Sequence, residues 1–593
     1  MAKAKKLIND PNDVVKELIE GMVETYPHLT YLDGFPEVKV VLRSDIKRGS
    51  YNKVALISGG GSGHEPAHAG YVGEGMLTAA ICGDVFSAPS VNSILAGIRA
   101  VTGPSGCLLI VKNYTGDRLH FGSAAEQAKA EGFKVEIVIV GDDCALPPPP
   151  RGPVGRRGLA GTLFVHKVAG ALAAAGRPLV EVAAEARRVS EMVGTMGVAL
   201  TVCTVPGQNT SDRLGPGKME LGLGIHGEPG ALVADLQPVD IIVSHILKQI
   251  LSQDTKYVPI KRGSRVVLMV NSLGATPMME LMIAAGKAVA QLQIEHGLAV
   301  ERVYTGSFMT SLDMAGMSLS VLKADDSILS SLDFATKAPA WPVGVSGHRP
   351  PTTLPVPLPP APANNKPDPV RPQELTAQGQ KLEAAIRAGA QAVINLKDSL
   401  NEWDGIVGDG DCGTTMAKGA KAVIEDLAKH YPVNDAAATV HEIGCSIRRV
   451  TGGTSGILYD IFTRAAFVIL KDGGSPVTAK KWSASFQAAV AAVGKYGGAS
   501  AGHRTLLDAL IPASTTLQEK LAAGEDPFKA FHDAADAAKA GALATKSMLA
   551  QAGRSSYVPD HVLATVPDPG AMAAAEWLKA AAEALCSSPS PSP

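Results

Sequence analysis

The sequence predicts two unlike modules in one chain: a two-part α/β module with mainly parallel sheet, then an all-α helical bundle. Three observations carry this reading. Before residue 339, short β-rich apolar runs alternate with helical stretches. Between Pro339 and Pro372 lie 12 of the chain's 40 prolines. Beyond them, Ala, Leu, Lys and Glu recur at helical spacing and β-rich runs are scarce. At roughly 150 residues per domain, 593 residues correspond to about four domains.

The β-rich runs come first. They are Val54–Ile57, Leu108–Val111, Val135–Val140, Val198–Val205, Val266–Val270 and Val303–Tyr304. Runs apolar on both faces, separated by 20 or more residues, indicate parallel strands covered by helices. The α/β module is placed at residues 1–338, in parts of about 1–190 and 191–338. Several runs end in polar or glycine clusters, and ligands of open α/β sheets bind at carboxyl ends of strands.

The Pro-rich span at 339–372 cannot continue a helix or a central strand. Polyproline II rises about 3.1 Å per residue, so these 34 residues could reach roughly 100 Å. The helical module occupies 373–585, with helices expected over Ala377–Leu400, Ala530–Gln551 and Ala571–Leu585. Residues 586–593 read as a short disordered tail.

Composition narrows the function. Hydrophobic residues make up 46% and charged residues 19%, which suits a globular chain and excludes collagen-like or wholly disordered classes. Lys+Arg total 55 against Asp+Glu 57, and aromatics are 5%. Neither nucleic acid nor an anionic membrane is an expected partner. The seven cysteines form no C-x-x-C pair, and neither a signal peptide nor a run near 18 apolar residues is visible. The expectation is a soluble cytoplasmic protein.

Several signatures are absent. Gly215–Lys218 and Gly286–Ala288 lack the full Walker A pattern, and no H-R-D or D-F-G set occurs. The bundle carries the strongest constellation: Asp404, Asp409 and Asp411 within eight residues, spaced by glycines. Such carboxylates repel one another unless a cation neutralises them. Oxygen-only donors favour a hard ion such as Mg²⁺, and the EF-hand pattern fails at its fifth and twelfth positions. The bland alternative is an acidic Asp-Gly turn. Against it stands a second loop, Gly452-Gly453-Thr454-Ser455-Gly456, opening an apolar helical run suited to phosphate. Metal plus phosphate loop points to a nucleoside triphosphate.

The α/β module offers three polar clusters: Ser58–Pro66, Lys112–Arg118 and Gly224–Gly230. A lone histidine is more often a satisfied core residue than a catalyst. His226 departs from that expectation because Gly224, Gly227 and Gly230 surround it and leave its ring little packing role.

The string SGGGSGHEPAHAGYVGEGMLTAAICGDVF, followed by NYTGDRL, GIHGEPG, the Pro-rich span and GDGDCGTTM, resembles the dihydroxyacetone kinase family. The resemblance runs from about residue 8 to 585. It is nearest to the single-chain, ATP-dependent eukaryotic form, some of whose members also split FAD into AMP and riboflavin cyclic 4′,5′-phosphate. The resemblance implies that His226 holds a substrate carbonyl as a hemiaminal. It further implies that His64 and Asp117 bond the substrate hydroxyls, with Asp117 as base. Gly61, Ser62, Gly63 and Lys112 would line the same pocket. Dihydroxyacetone, glyceraldehyde, ATP and FAD are the implied small molecules.

For the bundle, the resemblance implies Asp404, Asp409 and Asp411 as Mg²⁺ ligands, with Mn²⁺ the alternative ion for FAD cleavage. Asp411, Cys412, Gly413, Thr414, Thr454, Ser455, Arg504, Thr505, Asp568, Pro569 and Gly570 would contact ATP. It also implies a homodimer with crossed domains, each nucleotide module serving the other chain. Two residues depart from the family pattern. His120 stands where Asn is usual, and His503 precedes Arg504 where a small or acidic residue is expected.

Overall fold

The computed structural model describes residues 5–47, 51–146, 155–344, 370–472 and 476–586. The chain divides into two compact units, Met1–Val356 and Pro357–Pro593. Most of the Pro-rich span, 345–369, lies outside the described residues, as does 587–593. Of the expected tail, Cys586 still belongs to the final helix, Pro569–Cys586.

The first unit contains two six-stranded sheets. Strands β1 (Leu29–Tyr31), β2 (Val40–Arg43), β3 (Ala55–Ser62), β4 (Ala79–Val85), β5 (Cys107–Lys112) and β6 (Val135–Val140) assemble in the order β1-β2-β4-β3-β5-β6. The run β4-β3-β5-β6 is parallel, and β1 and β2 add antiparallel strands at one edge. Because parallel strands need crossovers, helices Val91–Val101 and Thr115–Ala130 cover one face. Ile94, Ile98, Phe121 and Ala124 pack there on Ile57, Leu109 and Val111. The other face, with Leu56, Leu108 and Ile110, packs under helix Thr162–Ala174.

The second sheet comprises β7 (Val193–Ala199), β8 (Lys218–Leu221), β9 (Leu232–Asp235), β10 (Arg265–Ser272), β11 (Ala299–Gly306) and β12 (Gly316–Lys323), ordered β11-β10-β12-β7-β8-β9. Only β10–β11 is parallel; its other four pairings are antiparallel. The sheets are therefore mixed, and the parallel character expected from the sequence is concentrated in the first. The strand expected over Val198–Val205 lies earlier, at Val193–Ala199. Gly194 and Gly197 mask it in sequence, yet any Cβ on Gly194 would lie 2.7 Å from Cys144 Sγ.

Among the described residues of the second unit, every regular element is a helix. Ala377–Asn395, Lys397–Val407, Cys412–Lys429, Ala436–Val450, Gly453–Leu470, Ala479–Gly497, Leu507–Ala522, Pro527–Ala544 and Pro569–Cys586 are its long ones. Thr376, Asp435, Thr478 and Asp526 accept backbone N–H groups at four N-termini, satisfying donors that each helix leaves open. The expected helix Ala377–Leu400 breaks at Leu396, and Ala530–Gln551 instead spans Pro527–Ala544. An apolar cavity of about 720 Å³ lies within the bundle, lined among others by Val423, Ile443, Phe462 and Trp482. Helix Gly453–Leu470 has the length and hydropathy to cross a membrane. Here its Tyr459, Phe462 and Ala466 line that cavity, and Asp460 pairs with Arg464.

Candidate functional site

The first unit gathers three predicted residues around His226. β3 ends in the glycine loop that carries His64; β5 ends at Lys112; Asp117 lies in the first turn of the helix that follows. The rings of His64 and His226 meet edge to face at 4.9 Å, with Phe86 at 5.1 Å and Tyr114 at 4.7 Å from His226. A Cβ on Gly60 would lie 3.3 Å from Asp117 Oδ2 and 3.4 Å from Lys112 Nζ, and the backbone there, at φ 151°, is one that glycine adopts most readily. His226 keeps 24% side-chain exposure, whereas His64, Lys112 and Asp117 are buried.

Electrostatics sort these groups into roles. His64 Nδ1 lies 2.9 Å from the Thr310 carbonyl, which can only accept, so Nδ1 carries the proton and Nε2 is bare. Burial, then the charges of Lys112 and His226, hold the His64 imidazole well below its usual pKa, hence neutral. Burial raises the Asp117 carboxyl against the opposing pull of Lys112, His226 and His120, which makes it a better proton acceptor. Burial lowers the Lys112 ammonium despite Asp117, Glu228 and Glu65. His64 Nε2, Lys112 Nζ and the Tyr114 hydroxyl are buried without a hydrogen-bond partner. Buried polar atoms are costly to leave unpaired. Their concentration at one place is what a polar ligand would satisfy.

The glycine loop is tightly engaged. Gly61 lies against Phe86 and Ser87, where a Cβ would sit 2.6 Å from the Ser87 nitrogen. The Ser62 hydroxyl donates to Gly83 O at 2.8 Å, and the Gly63 N–H donates to Glu65. Phe86 is held at φ 57°, a costly conformation for an aromatic residue, with its ring stacked on His64. Of the residues that depart from the family pattern, His120 bonds the Pro89 carbonyl through Nδ1 at 2.8 Å.

In the helical unit, Asp404, Asp409 and Asp411 bring one carboxylate oxygen each to within 4.8 Å of one another. Asp404 Oδ2 accepts the N–H groups of Asp411 and Cys412, both at 3.0 Å, which folds the loop around the carboxylates. Gly410, at φ 79°, makes that turn feasible. The clustered oxygen donors fit a hard divalent ion. Cys412 is no thiolate, because burial and the carboxylates push its thiol up to about 12. Asn401 brackets Thr414, bonding both its N–H and its hydroxyl at 2.9 Å. Gly413 is required by packing, since a Cβ would strike the Lys397 carbonyl.

Thr454 and Ser455 open the helix Gly453–Leu470, whose N-cap Gly452 supplies no side-chain acceptor. Arg504 is fully buried at φ 60° and donates to the carbonyls of Leu563 and Val566. Thr505 donates its N–H to Asp508. Asp568 accepts the Ala571 N–H at the turn with Pro569 and Gly570. Burial raises its carboxyl to about 6, against the pull of that N–H and of Arg504. His503 sits 3.0 Å from Ser500 Oγ through Nε2.

Sequence reasoning gave no role to Glu228, Phe86, Tyr114 or Thr310. Glu228 stands two residues from His226 and was legible as its neighbour. Thr310 is 246 residues from His64, so nothing local could reveal it.

An α/β unit with a histidine-lined polar pocket, in one chain with a helical unit that carries a carboxylate cluster and a glycine-led helix N-terminus, fits a two-unit kinase. Comparison with known proteins agrees. A Dak1 domain matches residues 20–340 and a DAK2 domain matches 406–583. The chain is 71% identical over 585 residues to a tomato (Solanum lycopersicum) protein named putative 3,4-dihydroxy-2-butanone kinase, covering 98% of each. It is 41% identical to human triokinase/FMN cyclase, covering 98% of this chain and 99% of that protein. The crystal structure of C. freundii dihydroxyacetone kinase with AMP-PNP and Mg²⁺ aligns with a TM-score of 0.69 at 35% identity, over 98% of this chain and 99% of that one. The chain belongs to the dihydroxyacetone kinase family, and it is an enzyme.

Proposed function

We propose that the enzyme transfers the γ-phosphoryl group of ATP to a short α-hydroxy ketone or aldehyde, dihydroxyacetone and D-glyceraldehyde first among them. The observation that carries this is the reachable imidazole of His226 set among a neutral His64, a buried Lys112 and an Asp117 of raised basicity. His226 Nε2 adds to the carbonyl carbon; the carbonyl π bond breaks, its oxygen takes a proton from solvent while Nδ1 gives up its own, and a neutral hemiaminal results. Glycerol, lacking a carbonyl, cannot be held this way. Asp117 then accepts the proton of the hydroxyl whose oxygen attacks phosphorus, and ADP leaves. Asp404, Asp409 and Asp411 would hold Mg²⁺, which when bound neutralises charge on the phosphate oxygens. Thr454 and Ser455 would present backbone N–H groups to phosphate.

The tomato relative's name places 3,4-dihydroxy-2-butanone in the same chemical class, a ketone beside a hydroxylated carbon. The human relative's name supports a second activity, splitting FAD to AMP and riboflavin cyclic phosphate at the nucleotide site, with Mg²⁺ or Mn²⁺. The assembly that suits a 34-residue Pro-rich connection is a homodimer in which each nucleotide module serves the partner's ketone pocket.

The test is a rate comparison with dihydroxyacetone, glyceraldehyde and 3,4-dihydroxy-2-butanone plus ATP, and with FAD alone. His226→Ala should lose carbonyl phosphorylation and the substrate adduct that crystals soaked in dihydroxyacetone would show, while sparing FAD cleavage. A wild-type kinase rate in His226→Ala would remove the covalent role.

A further inference from the structure

Beneath the ketone pocket lies a second polar cluster that takes no part in the proposed reaction steps. Ser58, in the middle of β3, donates its hydroxyl hydrogen to the carbonyl of Ile110 on β5 at 2.7 Å. The same Oγ lies 3.3 Å from His68 Nδ1 and 3.1 Å from His166 Nε2. His68 follows the glycine loop, whereas His166 comes from helix Thr162–Ala174. Their rings are 5.2 Å apart, and both residues are buried.

The proton positions follow from Ser58. A carbonyl only accepts, so the one hydroxyl hydrogen is committed to Ile110. Oγ must then accept from both imidazoles. His68 is protonated at Nδ1 and bare at Nε2; His166 is protonated at Nε2 and bare at Nδ1. Neither bare nitrogen has a hydrogen-bond partner. Burial, then the charge of Lys112, lowers both imidazoles, His166 to about 3, so they remain neutral.

The matching donors are on Lys112. Its ammonium is fully buried without a hydrogen-bond partner, and its charge is felt by His64, His68 and His166 alike. Lys112 follows Ile110 by two residues on β5, and its Nζ lies 3.4 Å from where a Cβ on Gly60, two residues past Ser58, would sit, so the ammonium borders the Ser58 cluster. Asp117, Glu228, Glu65 and Asp142 act on the same ammonium from the opposite sign. Burial of a cation without acceptors is costly, whereas acceptors fixed in one tautomer make it tolerable.

We infer that His68 and His166, locked by Ser58, are positioning residues that present bare nitrogens to Lys112 through one water and fix its ammonium at the hydroxyketone. The inference rests on the reading of the His226 pocket as the ketone site. An asparagine at 68 and a glutamine at 166 can imitate the N–H that each imidazole gives Ser58, while removing the bare ring nitrogen.

The experiment measures His68→Asn, His166→Gln and the double variant in the full chain, across pH, with dihydroxyacetone and ATP. The expected result is a fall in kcat of about tenfold or more, with the alkaline limb of the kcat profile displaced to lower pH because the ammonium has lost its acceptors. The dihydroxyacetone adduct at His226, read by crystallography, and FAD cleavage should persist, which also shows that the variants fold. On a Lys112→Met background the same substitutions should cost nothing further. An unmoved alkaline limb, or equal losses with and without Lys112, overturns the positioning role. Failure of the ketone-site reading is distinguishable, because it appears as full kinase activity in His226→Ala.

Discussion

The Nδ1 atom of His226 lies 3.6 Å from Oε2 of Glu228, the same oxygen that accepts the His226 backbone N–H at 2.9 Å. One carboxylate thereby fixes both the loop and the ring. Burial would raise its pKa, but His226, its backbone bonds and Arg157 outweigh burial and hold Glu228 at about 2. An ionised Glu228 at that distance favours the proton on Nδ1, which in the proposed reaction would leave Nε2 bare for the carbonyl.

Replacing Glu228 with glutamine should therefore weaken the nucleophile without touching the nucleotide site. A hydrogen bond to a charged group is worth about 1.5–3 kcal/mol, or roughly 10–100-fold in rate. Glu228→Gln is expected to lose that much in kcat/KM for dihydroxyacetone, with the KM for ATP unchanged. Steady-state kinetics with each substrate varied in turn decides it; an unchanged kcat/KM would leave Glu228 a loop brace only.

His64 offers a sharper test because its Nδ1 is bonded to the Thr310 carbonyl whereas its Nε2 has no protein partner among the described residues. An asparagine can keep the N–H bond to the Thr310 carbonyl but has nothing at the place of Nε2. His64→Asn should keep the wild-type melting temperature and lose about 10²-fold or more in kcat, the range of a lost proton-transfer or hydroxyl contact. If activity fell only in step with stability, Nε2 would have no part in the reaction.

At the metal loop, Asp404 both faces the ion site and accepts the Asp411 and Cys412 N–H groups, whereas Asp409 is exposed. Asp409→Asn should abolish kinase and FAD cleavage together while the fold persists. Asp404→Asn should in addition loosen the loop. Isothermal titration with Mg²⁺ and AMP-PNP would read the loss of binding, and retained FAD cleavage in Asp409→Asn would separate the two activities.

The crossed dimer is testable by mixing inactive chains. A His226→Ala chain and an Asp409→Asn chain, exchanged into one dimer, would pair the intact Asp409 of one with the intact His226 of the other. Kinase activity should return to one site in each mixed dimer. If subunits demonstrably exchange and no activity returns, each site is built within a single chain.

Legibility in the sequence followed physical locality. β5 and β6 were readable because every residue of Leu108–Val111 and most of Val135–Val140 favours strands. β7 was displaced because Gly194 and Gly197 carry no β signal, their place being set by contact with Cys144 and with Ser318 on β12. The site's contiguous strings were legible for the same reason: His64 and His226 sit in glycine-marked loops, and Lys112 and Asp117 flank the short turn between β5 and the helix that follows. Thr310, which sets the tautomer of His64, and Ser58, which sets those of His68 and His166, act across the fold and leave no local pattern. Arg504 shows the opposite case. The family resemblance implies that it contacts ATP, and tertiary packing turns part of its guanidinium onto the Leu563 and Val566 carbonyls.

Lys167 supplies a prediction about stability. Its ammonium is buried, donating to the carbonyls of Ser331 and Phe334 at 2.8 and 2.7 Å, near the Trp341 ring. Burial outweighs the attraction of Asp333 and lowers it to about 8 from the ordinary 10.5. In the unfolded chain the amine holds its proton up to the ordinary value. Between pH 8 and 10.5 the unfolded state therefore binds more protons, and stability must rise with pH across that window. Below pH 8 both states are charged and the penalty on the folded state is constant. A tenfold change in proton affinity corresponds to about 1.4 kcal/mol, so the whole window is worth roughly 3 kcal/mol. Other groups titrate in the same range, which is why the comparison must be with Lys167→Met. The stability difference between wild type and Lys167→Met, from denaturant unfolding of the α/β unit's transition at pH 7.5 and pH 10, should shift in favour of the wild type at the higher pH. A difference that stays constant would mean that Lys167 keeps its ordinary affinity for the proton in the folded state.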